Sequence, residues 1–284
     1  MSLKYSIPSY AKINLFLHIT GKRKDNYHDL QTIFQLVNLK DTLQFTVRDD
    51  NKILLSSNQY ICNQEDNIVY KAAMLIRQYA YQPSGLNIHI DKNIPQGSGL
   101  GGGSSNCAST LLMLNRLWQC NLTKIQLIKL GAKLGADVPI FIYGKTAWAE
   151  GIGDILYPYE YDDQCVLLIF PKININTKSL FKDPKLKINH VKIKPENFKI
   201  EETHNAFENI VRNQYSTINN IFKNTCKTVT TRLTGTGSCV YCLSKNEKKL
   251  KNITKKIDKE LDTIVTKTVK FCPVDQMIEQ ITDE

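Results

Sequence analysis

Residues 95–106 read Pro95-Gln96-Gly97-Ser98-Gly99-Leu100-Gly101-Gly102-Gly103-Ser104-Ser105-Asn106, which places five of the chain's 14 glycines within seven positions. A packed core gains nothing from such a cluster, because each glycine gives up more backbone freedom on folding than any other residue. The stretch offers bare backbone instead, with N–H groups that can converge on an anion and no Cβ in the way. Behind it Cys107, Ala108, Leu111, Leu112, Leu114, Leu117 and Trp118 follow a helical pattern, which predicts an amphipathic helix whose N-terminus points at the loop. Such an end carries roughly half a positive charge and unpaired donors, so phosphate sits well there. A strand over 86–90, this loop and the helix together read as a phosphate cradle.

Three kinds of phosphate loop compete with a plain glycine-rich surface turn. A P-loop needs GxxxxGK[ST], and no lysine follows these glycines. The dinucleotide fingerprint matches at Gly97, Gly99 and Gly102 but lacks an acidic residue about 20 positions on to hold a ribose. The third fits: PxGxGLGGGSS resembles the ATP-binding loop of the GHMP kinase superfamily, which includes galactokinase and the homoserine, mevalonate and phosphomevalonate kinases.

Further upstream, residues 9–19 alternate. Ala11, Ile13, Leu15, Leu17 and Ile19 point one way and Tyr10, Lys12, Asn14, Phe16 and His18 the other, the period of a half-buried strand. The second face mixes an ammonium, a carboxamide and aromatics, which suits the wall of a cleft; a solvated strand lysine is the plainer reading of Lys12. A polar turn over 21–32 and a second alternating stretch near 33–37 follow. The pattern PSxAKxNLFLxITGxRxDxYHxLQT is similar to one branch of the superfamily, whose acceptor is a methylerythritol linked to cytidine diphosphate. Tyr10 stands where that branch often has proline or glycine.

Thr123 is placed to cap a helix through Leu134, with Gly135 as its stop. Pro139 should hold Val138 extended, leaving Asp137 at a helix exit beside a buried apolar segment. LGADVPxF resembles the motif in which the family carries its catalytic aspartate. The resemblance thus implies that Asp137 accepts the acceptor's proton and that Lys12 orients it. It also implies that Pro95 through Ser105 bind ATP, that Ser104 and Ser105 contact Mg²⁺ or phosphate, and that Asn67 helps with adenine or ribose. For the acceptor it implies a cytosine stacked on Tyr27, hydrogen-bonded by His28 and walled by Phe181 from a TxxxFKDP segment beginning at Thr177. Lys182 would meet the diphosphate. Asn14 on the strand and Gly235 in the late loop 232–241 complete the acceptor set, although Gly-Thr-Gly there also reads as a tight hairpin.

The chain's 284 residues, 42% hydrophobic and 23% charged, suit one or two globular domains. No apolar run approaches the roughly 20 residues needed to span a bilayer, and no signal peptide is evident, so a cytoplasmic protein with no membrane partner is expected. The eight cysteines are scattered, mostly in apolar runs, and read as reduced. Cys239 and Cys242 form a CxxC without a second pair, a poor zinc signature.

Residues 245–270 hold nine lysines against four acids, half of the net charge of +10. Leu250, Ile253, Ile257, Leu261 and Ile264 recur there at helical spacing, predicting one core-facing helix with a solvated lysine face rather than a nucleic-acid surface.

Strands are expected near 10–19, 33–37, 42–48, 86–90 and 146–149, and helices near 67–80, 104–118 and 124–134. The second half should hold a strand at 165–170, a helix over 205–222, strands around Arg232 and Val240, the lysine-faced helix and a last strand near 264–272. The resemblance implies an α+β GHMP kinase fold, with a ribosomal protein S5-like N-terminal domain over 1–160 and a ferredoxin-like C-terminal domain over 161–284. It further implies a Mg²⁺–ATP kinase of the 2-hydroxyl of 4-diphosphocytidyl-2-C-methyl-D-erythritol in non-mevalonate isoprenoid synthesis, working as a monomer or weak homodimer. Another kinase of the superfamily, and a basic RNA-binding module built on an S5-like domain, are the rivals.

Overall fold

In the computed structural model, which describes residues 3–281, one long antiparallel pair frames the rest. β1 (Lys4–Lys22) and β2 (His28–Arg48) are joined by a five-residue turn over 23–27. Then come β3 (Ile53–Ser57), α1 (Ile68–Ile76), β4 (Gly85–Asp91), α2 (Gly102–Leu117), α3 (Lys124–Ala132), α4 (Val138–Tyr143), β5 (Ala147–Glu150) and β6 (Ile155–Pro158). The second half runs β7 (Cys165–Phe170), α5 (Thr177–Phe181), α6 (Glu208–Gln214), α7 (Ser216–Thr225), β8 (Thr230–Leu233), β9 (Val240–Ser244), α8 (Glu247–Thr254), β10 (Asp262–Val269) and α9 (Val274–Glu279).

β2 is the hub. Its 42–48 end lies between β1 and β4, its 32–34 segment pairs with β5, and Leu36 and Val37 pair with β10. Beyond β10 the order continues through β7 and β9 to β8, all antiparallel. β1 ladders with β2 alone. Its other edge is met by the glycine loop, through Lys12 N to Leu100 O, and by residues 204–206, through Leu17, so β1 is buried from Ile7 to Ile19 rather than half-buried.

Its bulges matter too. The register slips between Tyr10 and Ala11, between Asn14 and Leu17, and between Ile19 and Gly21. Each slip breaks the simple two-residue alternation. Ala11, Ile13, Leu15 and Phe16 therefore share one apolar cluster, while Leu17 and Ile19 join the cluster of the second half with Phe207, Ile221 and Leu233.

Several sequence expectations need correction. The expected helix over 205–222 is two helices, because Tyr215 is extended (φ −126°, ψ 102°) and separates α6 from α7. The lysine-faced helix stops at Thr254; Leu261 precedes β10 and Ile264 lies within it. Thr263, Ile264, Val265 and Thr266 favour a strand through their branched Cβ atoms, so the apparent helical spacing beyond Ile257 is coincidental. Val138 opens α4 instead of being held extended, since a proline in a first helical turn forfeits no intrahelical donor. α3 does start at a Thr123–Gln126 capping box, but it ends at Ala132, short of Gly135. All eight cysteines are free; Cys107, Cys120, Cys239 and Cys242 are buried. Among the described residues no helix is long and apolar enough to cross a membrane.

Candidate active site

The glycine loop needs its glycines for backbone reasons. Gly97, Gly99 and Gly101 have φ of 67°, 79° and 74°, a region that side-chain-bearing residues enter at a cost. At Gly99 a Cβ would lie 2.3 Å from the carbonyl oxygen of Thr234, and at Gly101 it would lie 2.7 Å from the Phe141 ring. The late loop therefore packs backbone to backbone on the first. Cys239 N donates to Ser98 O at 3.1 Å, and Thr234 Oγ1 donates to Gly99 O at 3.3 Å.

α2 begins at Gly102 with no capping side chain from Gly101. Its first-turn N–H groups, which no intrahelical carbonyl can serve, belong to Gly102, Gly103 and Ser104, which line the cleft described below.

Lys12 stands beside this loop. Its backbone N donates to Leu100 O at 3.0 Å. Its side chain is 2% exposed; Nζ donates to Asn14 Oδ1 at 2.7 Å, lies 3.4 Å from Asp137 Oδ2 and sits 5.4 Å from the Phe34 ring centroid. Asp137, just before α4, is 37% exposed on the cleft side of that pair. The ammonium is thus desolvated and held, while the carboxylate stays accessible. Asn14 also accepts from Gly235 N at 3.0 Å and donates to Thr32 Oγ1 at 2.9 Å.

The aromatic wall forms at the other end. The His28 and Phe181 rings stack with centroids 5.1 Å apart and 26° between planes, and Phe181 meets Phe207 edge-on at 4.9 Å. Burial first, then the Lys22 ammonium, holds the His28 imidazole below its ordinary pKa, which favours the neutral ring that can both donate and accept. Tyr27 projects at the rim, 58% exposed. Thr177 Oγ1 lies 2.9 Å from Thr236 Oγ1, joining the α5 segment to the late loop.

One cleft of about 1560 Å³ is lined by Lys12, Asn14, Tyr27, His28, Asn67, Pro95 to Gly99, Gly101 to Ser104, Asp137, Thr177, Phe181, Lys182 and Gly235. Two residues of the expected ATP set lie outside it. Leu100 is fully buried in the core and contributes only its carbonyl. Ser105 turns inward, where its Oγ accepts from Ser9 Oγ at 2.7 Å, so the helical rotation leaves Ser104 as the serine facing the cleft. Asn67 caps α1, accepting from Val69 N at 2.9 Å.

Sequence reasoning missed Lys92 and Asp41. Asp41 is 0% exposed; its carboxylate accepts from Lys92 Nζ at 2.5 Å, Asn106 Nδ2 at 2.9 Å, and Asn93 N and Ile94 N at 2.7 Å each. This fixes the chain entering the glycine loop, and Lys92 Nζ would lie 2.7 Å from a Cβ on Gly102. A lysine between strand and glycines was the available signal for Lys92. Asp41 gave none, being 51 residues from its partner.

Residues 67–145, which include the loop and Asp137, match the family described as GHMP kinases N terminal domain. Along nearly its whole length, the chain is 46% identical to a 4-diphosphocytidyl-2-C-methyl-D-erythritol kinase of Francisella philomiragia, over 93% of this chain and 96% of that protein. The chain belongs to this kinase family. An Acinetobacter baumannii relative of the same description is 43% identical over 88% of this chain and 90% of its own. A crystal structure of a 4-(cytidine 5'-diphospho)-2C-methyl-D-erythritol kinase superposes with TM-score 0.81 at 25% identity, covering 93% of this chain and 99% of that one. Methanococcus jannaschii mevalonate kinase, at 17% identity and TM-score 0.68, shares the fold. The α+β GHMP architecture and the kinase class expected from the glycine loop and Lys12 strand are therefore correct.

Proposed function

We propose that this family member transfers the γ-phosphoryl group of ATP to the 2-hydroxyl of 4-diphosphocytidyl-2-C-methyl-D-erythritol, a step of non-mevalonate isoprenoid synthesis. The observation that carries the reading is the 3.4 Å approach of Lys12 to Asp137 in the same cleft as the glycine cradle and the His28–Phe181 wall. Asp137 takes the hydroxyl proton, the freed oxygen bonds to the γ-phosphorus, and ADP leaves with the electron pair of the broken P–O bond. Lys12 holds the developing alkoxide and the transferring group by charge. Phosphoryl transfer asks little more of a protein than such positioning and electrostatics.

The residues present fit Mg²⁺–ATP. The uncapped start of α2 and the bare glycines suit phosphate, and the oxygens of Ser104 and Asp137 are hard donors of the kind Mg²⁺ takes. When bound, Mg²⁺ would neutralise phosphate charge. Asn67 near the nucleotide, and Tyr27, His28, Thr177, Phe181 and Lys182 around the cytidine diphosphate, complete the assignment; a base between aromatic rings gains about 1–3 kcal/mol per contact. For a division at residue 160, one apolar cluster is centred in each half, with Leu17 and Ile19 joining the second, Val274 and Ile278 the first, and a third cluster bridging the two.

The test is turnover of the purified protein with ATP and the cytidylated acceptor, homoserine or mevalonate. Preference for the cytidylated acceptor is expected, and equal turnover of the others would overturn it. Lys12→Met and Asp137→Asn should each lower kcat by about 10²- to 10⁴-fold with ATP still bound.

A further inference from the structure

Asn205 lies far from the reacting groups in sequence and outside the cleft lining, yet it is 1% exposed, with both amide protons and its side-chain oxygen hydrogen-bonded. Its Nδ2 donates to two carbonyls of the late loop, Leu233 O and Gly235 O, both at 2.8 Å. Its Oδ1 accepts from Phe207 N at 2.9 Å, which anchors the carboxamide to the start of α6. Gly235, at φ 55°, is thereby gripped from both sides: Asn205 takes its carbonyl, and its N–H donates to Asn14 Oδ1 at 3.0 Å.

That second bond decides which way the Asn14 amide faces. An N–H can only meet the oxygen of a carboxamide, and on the other side Thr32 Oγ1, whose own proton goes to Phe16 O, must accept from Asn14 Nδ2. With the amide so oriented, its oxygen has one remaining lone pair, and the Lys12 ammonium takes it at 2.7 Å. A flipped amide would turn an NH₂ group on the ammonium and push it from its place 3.4 Å from Asp137.

We propose that Asn205 is a positioning residue for phosphoryl transfer: by clamping the Gly235 peptide it fixes the Asn14 amide and, through it, the Lys12 ammonium. The inference rests on the kinase reading above and adds to it a residue that touches neither substrate.

The test is a double-mutant cycle in kcat, with ATP affinity measured separately by calorimetry. Asn205→Ala is expected to lower kcat by about 10- to 100-fold, the scale of a small misplacement at a reacting centre, with the ATP dissociation constant within about twofold. In a Lys12→Met background the same change should cost less than about twofold, because residues acting as a unit are not additive. An additive loss, or an unchanged kcat in Asn205→Ala, overturns the proposal. Should Asn205→Ala fail to fold, Asn205→Asp decides. Ionised, its carboxylate faces two carbonyls; protonated, it regains one donor. The ratio of its kcat to that of the wild type should therefore rise as pH falls from about 8 to 6, whereas a purely structural role leaves the ratio flat, which overturns the proposal. Wild-type protein that does not phosphorylate the cytidylated acceptor at all would instead overturn the functional reading, and the positioning role with it.

Discussion

Gly99 and Gly103 are two glycines of one loop with opposite demands. Gly99 has φ 79°, and an added Cβ would press on the Thr234 carbonyl; Gly103 lies in α2, and the nearest atom to its Cβ would be Ile68 Cγ2 at 3.9 Å. Gly99→Ala should therefore lower the melting temperature and weaken ATP binding at least about tenfold, since strain of this kind costs on the order of 1–3 kcal/mol. Gly103→Ala should raise the nucleotide-free melting temperature, because alanine in a helix gains about 0.5–1 kcal/mol over glycine. Thermal melts of both variants check the pair. Asp41 makes a third case. Asp41→Ala leaves the Lys92 ammonium, 4% exposed, without its carboxylate, and should cost about 3–5 kcal/mol in denaturant unfolding. Motif spacing made Lys12, Asp137 and the glycines legible at this scale. It could not separate Ser104 from Ser105, because adjacent helical residues point about 100° apart and only the packing of α2 on β1 says which faces the cleft.

The irregular stretch between α5 and α6 is held to β1 by backbone bonds at His190 and His204, and the imidazoles packed around His18 there give the element an acid sensitivity. His190 N donates to Ile19 O at 2.9 Å, Leu17 N to His204 O at 3.1 Å, and His190 Nε2 lies 3.1 Å from His204 Nε2. His18 stacks on His190 at 4.8 Å, and both its ring nitrogens are buried without a partner. Burial, then the His190 and His204 imidazoles and the Lys187 ammonium, pushes His18 down to about 4. A folded pKa below the unfolded one, about 6.5, means the unfolded chain takes the proton first. Stability is then full above about pH 6.5 and falls as pH drops toward 4. Melting temperatures measured across that window should fall for the wild type and fall less for His18→Phe, which loses no hydrogen bond. Periodicity alone read β1 as a two-faced strand; the bulges that carry His18 into the second half have no signature in a pattern of apolar residues. The same limit misread residues 257–264, where spacing mimics a helix and branched side chains settle on a strand.

Across the whole molecule, the chain's end returns to its beginning. After β10 has paired with both halves, α9 places Val274 and Ile278, 2% and 8% exposed, in the first-half core with Leu111 and Leu127. Lys124 Nζ meets Asp275 Oδ2 at 2.5 Å on the outside of that contact. Truncation before Val274 should therefore lower the melting temperature although it removes nothing that lines the cleft. Two buried side chains of this size are worth about 3–6 kcal/mol together, and a calorimetric melt of the shortened chain reads the loss.

The amino-acid sequence by itself determined which groups this protein brings to its cleft: a glycine loop, an ammonium, a carboxylate and aromatic rings, each in a local pattern. Such patterns are legible because the backbone demands of a glycine loop, and the alternation of a strand, are satisfied within a few residues. Only the tertiary structure decided how those groups act together. Asp41 with Lys92, Asn205 with Gly235, and Lys12 with Asp137 are paired by packing between distant segments, and the burial that makes those contacts strong exists only once the two halves have closed on β1 and β2.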